Sequence, residues 1–348
     1  MMSINKKVLC LLLVIVAMTG LAIAGCGGGG DKKAADNWPA QNLNGVIAWG
    51  AGGATDNVAR TLTPAVEKAL GKTIVLANKP GATGAIATQF VFDQKADGYT
   101  VFYHAENPQL YKILNLSKLD YDDFDPIIVL GKGVSILCVP KDSPINSYDD
   151  LIAAIKAAGG KFNMGSSGVG GLPYTTTALM KQQEKIEVNF VTYDGEGPLI
   201  TALLGKQIEA SAIGIGAAAQ YVKTGDLKGI AVVTNKKLDI LPNVPALGEL
   251  KPQYKEKLES FGPFYAVLVK KGTPEVAVKK LTDAYVAGFK DAKFQDYMAK
   301  NGVTPMGLTG AEARKFLNDW RSQTAWLIYD AGGAKESPEK FGISKFTK

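Results

Sequence analysis

Hydrophobic residues along this chain fall in unbroken runs of four to six positions, each leading through a small or polar loop into a longer stretch with helical spacing. Runs that are apolar at every position predict strands buried on both faces. A recurring strand, loop and helix predicts right-handed crossovers and a mainly parallel sheet. The first cycle places strands at 45–49, 73–77 and 100–103 and helices at 55–70 and 85–94, with Thr55 or Asp56 as the cap of the first helix. The same cycle restarts after Asp142, Ser143 and Pro144. It predicts helices at 148–158, 175–183 and 198–204 and strands at 161–164, 188–192, 210–214 and 229–234. Helices at 274–287, 293–301 and 311–329 complete the chain, and no repeat of solenoid type stands out.

Two similar cycles imply two α/β lobes, and the roughly 300 residues that carry them exceed what one core usually holds. The apolar segments 135–139 and 265–269 are the candidates for two hinge strands that cross between lobes. The expected division is lobe 1 from 42–138 and 263–348, and lobe 2 from 139–262.

Ahead of these elements the pattern differs. Lys6 and Lys7 precede an apolar run over 8–18, and Ile23, Ala24, Gly25 and Cys26 follow. A basic start, a short apolar core and small residues before a cut site predict a secretory signal peptide over 1–25. The run is shorter than the roughly 20 residues that a membrane-spanning helix needs. A cysteine directly after Ala24 and Gly25 makes this a lipoprotein signal, with Cys26 acylated; an ordinary signal peptide with a chance cysteine is the alternative. Acyl chains contribute roughly 0.8 kcal/mol per buried methylene, so two or three hold a protein on membrane lipid. The glycine tract and charged residues of 26–41 predict a flexible tether. The expected location is extracytoplasmic and membrane-anchored.

Composition narrows the chemistry only a little. The formal charge of +6 becomes +4 once Lys6 and Lys7 leave with the leader, too mild and dispersed for a nucleic-acid partner. Cys10 also leaves with the leader, and Cys26 is the lipid site, so Cys138 remains alone. That excludes an intrachain disulfide and a cysteine metal cluster in the mature chain.

Three loops between a strand end and a helix start are built of small residues. They are Gly50-Ala51-Gly52-Gly53-Ala54-Thr55-Asp56, Asn78-Lys79-Pro80-Gly81-Ala82-Thr83-Gly84 and Gly165-Ser166-Ser167-Gly168-Val169-Gly170-Gly171. Tyr193-Asp194-Gly195-Glu196-Gly197-Pro198 is a fourth. Glycines let backbone N–H groups approach a ligand, and a helix N-terminus adds unpaired donors and partial positive charge. Such a site accepts a carboxylate or phosphate without a cationic side chain. In an open α/β sheet the loops lie at the carboxyl ends of the strands, where ligands bind. One glycine loop equally serves a tight turn; four in matching positions point to a binding cleft. Asp56 and Glu196 are placed to meet an amine, hydroxyl or bound water, while Asp56 also suits a helix cap. Trp49 and Tyr193 end strands beside these loops, where core packing is the competing role.

Enzyme patterns fail. There is no P-loop, no Gly-x-Gly-x-x-Gly between strand and helix, and residues 165–169 miss the Gly-x-Ser-x-Gly elbow. His104 is the one histidine, so any Ser-His-Asp or histidine metal site would rest on it alone. Directly after the strand 100–103 it points toward the cleft, where ligand contact and a structural role both stay open. A hydrolase built on Ser166 or Ser167 lacks a paired base at recognisable spacing. No catalytic residue, cofactor or metal is expected.

Several short motifs add to the glycine loops: Asn57-Val58-Ala59-Arg60, Ala96-Asp97-Gly98-Tyr99-Thr100, Asp123-Phe124-Asp125-Pro126-Ile127, Leu241-Pro242-Asn243-Val244-Pro245 and Lys271-Gly272-Thr273-Pro274. In this order and spacing, over about residues 45–329, the chain resembles the TctC/Bug family of tripartite tricarboxylate transporter substrate-binding proteins. The resemblance implies a two-lobed periplasmic-binding-protein fold of type II, acting as a monomer that closes over a small carboxylate. It implies delivery to an ion-coupled transporter of one large and one small integral subunit; a receptor for a membrane signalling partner is the alternative. Carried over, the ligand-binding residues are Gly52, Gly53, Ala54, Asp56, Ala82, Thr83 and Gly84 in lobe 1, and Ser166, Ser167, Gly168, Tyr193, Gly195 and Gly197 in lobe 2; His104 joins the candidates on its position alone. Family members often have Ser and His at Gly171 and Tyr174 and Lys at Asp194. Those departures favour a mono- or dicarboxylate over a tricarboxylate.

Overall fold

Two β-sheets organise the chain from Gln41 onward. The computed structural model describes residues 37–259 and 261–345; the expected signal peptide, Cys26 and most of the 26–41 tether lie outside the described residues. The strands are β1 (Leu43–Ile47), β2 (Ile74–Asn78), β3 (Thr100–His104), β4 (Phe124–Lys132), β5 (Ser135–Pro140), β6 (Asn163–Ser166), β7 (Asn189–Thr192), β8 (Ala210–Gly214), β9 (Leu227–Val232), β10 (Phe264–Lys270) and β11 (Thr304–Leu308). One sheet has the order β11-β4-β10-β3-β1-β2, the other β7-β6-β8-β5-β9.

The two orders follow one rule. In the first sheet β1 pairs parallel with β2 and β3, while β10 lies antiparallel between β3 and β4. In the second, β6 pairs parallel with β7 and β8, while β5 lies antiparallel between β8 and β9. The second sheet thus keeps four strands in one direction with β5 reversed, while the first keeps β1 to β4 in one direction with β10 and the edge strand β11 reversed. Strands β5 and β10 are each entered from the other sheet. The mainly parallel expectation holds for strand direction, and the ladders of β5 and β10 are antiparallel because those strands arrive by crossing.

The hinge differs from the expectation. Residues 135–139 do not pass between sheets, since β5 pairs only with β8 and β9; a boundary at 138/139 would cut through that strand. Residues 265–269 likewise lie within β10 in the first sheet. The first crossing is the short link Gly133-Val134 and the second precedes β10. The two run side by side, with Gly133 N–H donating to Pro263 O at 2.8 Å.

Helices α1 (Ala54–Leu70), α2 (Ala85–Asp93), α3 (Tyr148–Ala157), α4 (Leu172–Glu184), α5 (Glu196–Leu204), α6 (Ile215–Thr224), α7 (Glu275–Phe289), α8 (Ala292–Lys300) and α9 (Gly310–Asp330) cover the sheets. The cores explain the apolar runs: β10 is buried from Phe264 to Val269, and β3 from Val101 to His104. Helix α1 crosses α7 closely, because a methyl at Gly288 would meet Val66 Cγ2 at 2.6 Å. Helix α9 lends Leu317, Trp320 and Ile328 to the first core, while Leu327 packs on the second. Strands β4 and β11 and helix α6 were not foreseen. Strand β4 opens Phe124-Asp125-Pro126 ahead of its buried run Ile127-Ile128-Val129-Leu130, and β11 holds Pro305 and Gly307.

Candidate ligand-binding site

The carboxyl ends of β1 and β3 in one sheet meet the loops after β6 and β7 of the other around a cavity. Its lining includes Trp49, Gly53, Ala54, Thr55, Ala105, Glu106 and Asn107 from the first lobe, and Ser167, Leu172 and Glu196 from the second. Pro263 and Tyr265, at and just after the second crossing, complete it. Trp49, Ala105, Leu172 and Pro263 supply apolar walls.

Helix α1 enters this cavity by its N-terminus. Its N-cap, Gly53, has no side chain to satisfy the first-turn N–H groups. The side chain of Glu196, the first residue of α5, reaches over from the other lobe. Its carboxylate accepts the Ala54 N–H at 3.1 Å and the Gly214 N–H at 2.5 Å. Burial raises the Glu196 carboxyl against those two donors, and burial prevails.

Glu106 is the second acid of the cavity, only 2% exposed, and its Oε2 has no hydrogen-bond partner. Burial above all, helped by the charge of Glu196, pushes its carboxyl up to about 8, although its own N–H and that of Phe264 act the other way. The neighbouring Asn107 donates its amide to Gly170 O at 2.7 Å across the cleft, which leaves Oδ1 buried without a partner. Glu106 and Asn107 escaped the sequence reading. Their signal was a carboxylate and an amide directly past the end of an apolar strand, where this fold puts its ligands.

Of the expected site residues, Gly53, Ala54 and Ser167 line the cavity. Gly52 stands exposed on the loop with φ 79°, and a methyl there would meet nothing within 4 Å. Asp56 neither caps α1 nor faces the cavity. It accepts from Gly52 N–H, Arg60 Nε and Asn78 Nδ2 at 2.8–2.9 Å, so it ties the first glycine loop to the second. Burial raises its carboxyl, but these donors together hold it below the ordinary value.

Ala82, Thr83 and Gly84 form a tight turn with positive φ at all three. The Tyr111 hydroxyl holds it by donating to Thr83 O at 2.8 Å. Thr83 then meets Gly168 of the other lobe, where a methyl would strike Thr83 Oγ1. Ser166 spends its hydroxyl inside its own loop, on Gly168 O and Gly168 N–H. Tyr193 is half-buried, donates its N–H to Ser166 O at 2.9 Å and does not line the cavity. Gly195 and Gly197 press on the first loop: a methyl on Gly195 would meet Gly50 N at 3.0 Å, and one on Gly197 would strike Ala51 O. These glycines let one lobe's backbone approach the other's, and only Gly53 reaches the cavity.

His104 lies behind the cavity wall, edge-on to Trp49, Phe102, Tyr111 and Tyr121. Its Nδ1 accepts the Ala105 N–H at 2.7 Å, which places the proton on Nε2, facing the Tyr111 hydroxyl at 3.1 Å. Burial lowers its pKa to about 3, so the ring is neutral and structural.

A family model described as the tripartite tricarboxylate transporter family receptor matches residues 58–332. The chain belongs to this family of receptors. The family is one of periplasmic solute-binding receptors and not of enzymes. The receptor is 27% identical to the protein BugT of Bordetella pertussis over 322 residues, which cover 91% of this chain and 97% of that one. Among solved structures it is 27% identical to the periplasmic binding protein BugD, with a TM-score of 0.80 over 85% of this chain and 99% of that one. MatC of Rhodopseudomonas palustris, solved with bound malate, shares the fold at 22% identity and a TM-score of 0.75, over 84% of this chain and 100% of that one.

Proposed function

We propose that this receptor, held outside the membrane by acylated Cys26, closes two lobes over a small organic carboxylate. As a monomer it then passes the ligand to the large and small integral subunits of an ion-coupled transporter. We take the lobes as 42–133 with 262–348, and 134–261. The observation that carries the ligand class is the N-terminus of α1, which opens on a cavity lined from both lobes and whose N-cap supplies no acceptor. Helix N-termini hold anions through backbone donors and dipole alone. Glu196 already takes the Ala54 N–H. A ligand carboxylate is left the Thr55 N–H and the hydroxyls of Thr55 and Ser167, donors enough for one carboxylate. That favours a mono- or dicarboxylate over a tricarboxylate.

Thermal-shift screening of a carboxylate panel tests the class, since a binder stabilises the folded state by mass action. Ser167→Leu, which intrudes on the cavity, should abolish that shift while leaving the unliganded melting curve near wild type. Unchanged binding by this variant would rule out the cavity. Cys26→Ser should abolish labelling by a radioactive fatty acid. Uptake of labelled ligand should be lost in cells lacking the gene; intact uptake with a lost response to ligand would support a signalling role instead.

A further inference from the structure

The cavity combines features that a plain carboxylate leaves unanswered. Glu106 Oε2 and Asn107 Oδ1 are both buried acceptors without donors, and both residues line the cavity. Glu196 adds a second carboxyl to the same lining, and no lysine, arginine or histidine stands among the lining residues. An anionic ligand entering this space brings acceptors to acceptors.

We propose that the ligand carries a protonated amine besides its carboxylate, and that Glu106 and Asn107 hold the ammonium while the N-terminus of α1 holds the carboxylate. The inference rests on the carboxylate reading above. An ammonium has three N–H donors and no acceptor. It matches Glu106 Oε2 and Asn107 Oδ1 with two of the three and offsets the paired acids. A hydroxyl supplies one donor and no charge. A metal ion fits less well, because the described residues hold no group of three His, Cys, Asp or Glu side chains able to ligate one. Trp49 and Tyr265, which also line the cavity, add aromatic surface that favours a cation.

The titration of Glu106 separates this reading from its rival, in which a protonated Glu106 donates to a ligand carboxylate. The groups that face Glu106 electrostatically are Glu196 on α5, Tyr111 and Tyr121 in the segments after β3, and Tyr265 on β10. The three tyrosines are all raised by burial and stay neutral. Glu106 therefore binds a proton up to about pH 8 in the ligand-free receptor. An ammonium must displace that proton, so its affinity rises with pH below 8 and levels off above. A carboxylate accepting from protonated Glu106 shows the opposite sign, losing affinity above 8.

The test is calorimetric titration of the full chain in detergent with matched sets: alanine, lactate and propionate; aspartate, malate and succinate; 6-aminohexanoate, 6-hydroxyhexanoate and hexanoate; and propylamine. In the set that binds tightest, the amino member should lead by about tenfold or more, the worth of a charge-assisted hydrogen bond. Its affinity should rise from pH 6 to 8, and Glu106→Gln, which keeps the side-chain shape, should remove both the lead and the pH dependence. A hydroxy or unsubstituted member that ties or leads, or an affinity that falls with pH, overturns the ammonium site and leaves the carboxylate reading standing. Propylamine binding without any carboxylate binding would overturn the carboxylate reading and keep the ammonium site. Binding by no member of the panel overturns both.

Discussion

Gly197 sits in the first turn of α5 with an ordinary helical backbone, yet its Cα lies against Ala51 O of the opposite lobe. Replacing it with alanine separates folding from closure. Within its own lobe the change is favourable, because alanine exceeds glycine in a helix by about 1 kcal/mol. Across the cleft the new methyl overlaps a backbone oxygen that cannot turn aside, and the loops must part by roughly 1 Å to restore van der Waals contact. Hydrogen bonds that span this junction include Ala54 N–H to Glu196, Asn107 Nδ2 to Gly170 O and the longer Asn57 Nδ2 to Gly216 O; the first two are the shorter. Losing one charge-assisted and one neutral bond costs about 2–4 kcal/mol, or roughly 30-fold to 1,000-fold in affinity if binding requires closure. Calorimetric titration with the receptor's ligand measures the affinity, and small-angle scattering measures compaction on binding. Gly197→Ala should melt at or above the wild-type temperature, bind far more weakly and fail to compact. Wild-type affinity together with wild-type compaction would refute the claim that this glycine exists for lobe-to-lobe contact.

Other consequences follow from the buried polar groups. The folded pKa of His104, about 3, lies below that of the unfolded chain, so only the unfolded state takes up its proton as pH falls below 6.5. Stability should decline toward acid by at most about 1.4 kcal/mol per pH unit from this group, and urea midpoints of His104→Gln should lack that part of the slope. Asp56 has the depressed carboxylate case: its contribution is present above the unfolded pKa and is lost as pH falls through the lower folded one. Asp56→Asn should lower stability by about 1–3 kcal/mol at neutral pH and flatten the acid limb of the same urea series, whereas a ligand-contact role would change affinity with no loss of stability. Leu268→Ala, in the centre of β10 and fully buried, should cost about 2–5 kcal/mol, read as a lower melting temperature with unchanged ligand preference in the folded fraction.

The helices and most strands were legible because burial on both faces leaves an apolar run, and a helix leaves a periodic one. Strand β4 was missed although Ile127 to Leu130 is an apolar run, because Asp125 and Pro126 break the pattern ahead of it, and its neighbours on both sides come from residues 264–270 and 304–308. The glycine loops announced close approach, and close approach is what Gly168, Gly195 and Gly197 provide. Their φ values and spacing carry no mark of what approaches, and the other lobe, 85 to 146 residues away for the contacts at Thr83, Gly50 and Ala51, lies nearest to them.

Taken alone, the amino-acid order determined the α/β class, the doubling into two lobes, the lipoprotein leader as an expectation, and the strand ends where a ligand belongs, because these follow from local patterns of burial and turn chemistry. Tertiary structure decided which side chains do the holding. Asp56 and His104, both obvious from their type and position, turn out to be anchored in hydrogen bonds of the scaffold. Glu106, unremarked in the chain, becomes a buried acid with an unused oxygen, and Glu196 reaches 142 positions to the helix that starts at Ala54. A carboxylate's role depends on desolvation and on donors brought from elsewhere in the chain, and neither is written in the residues beside it.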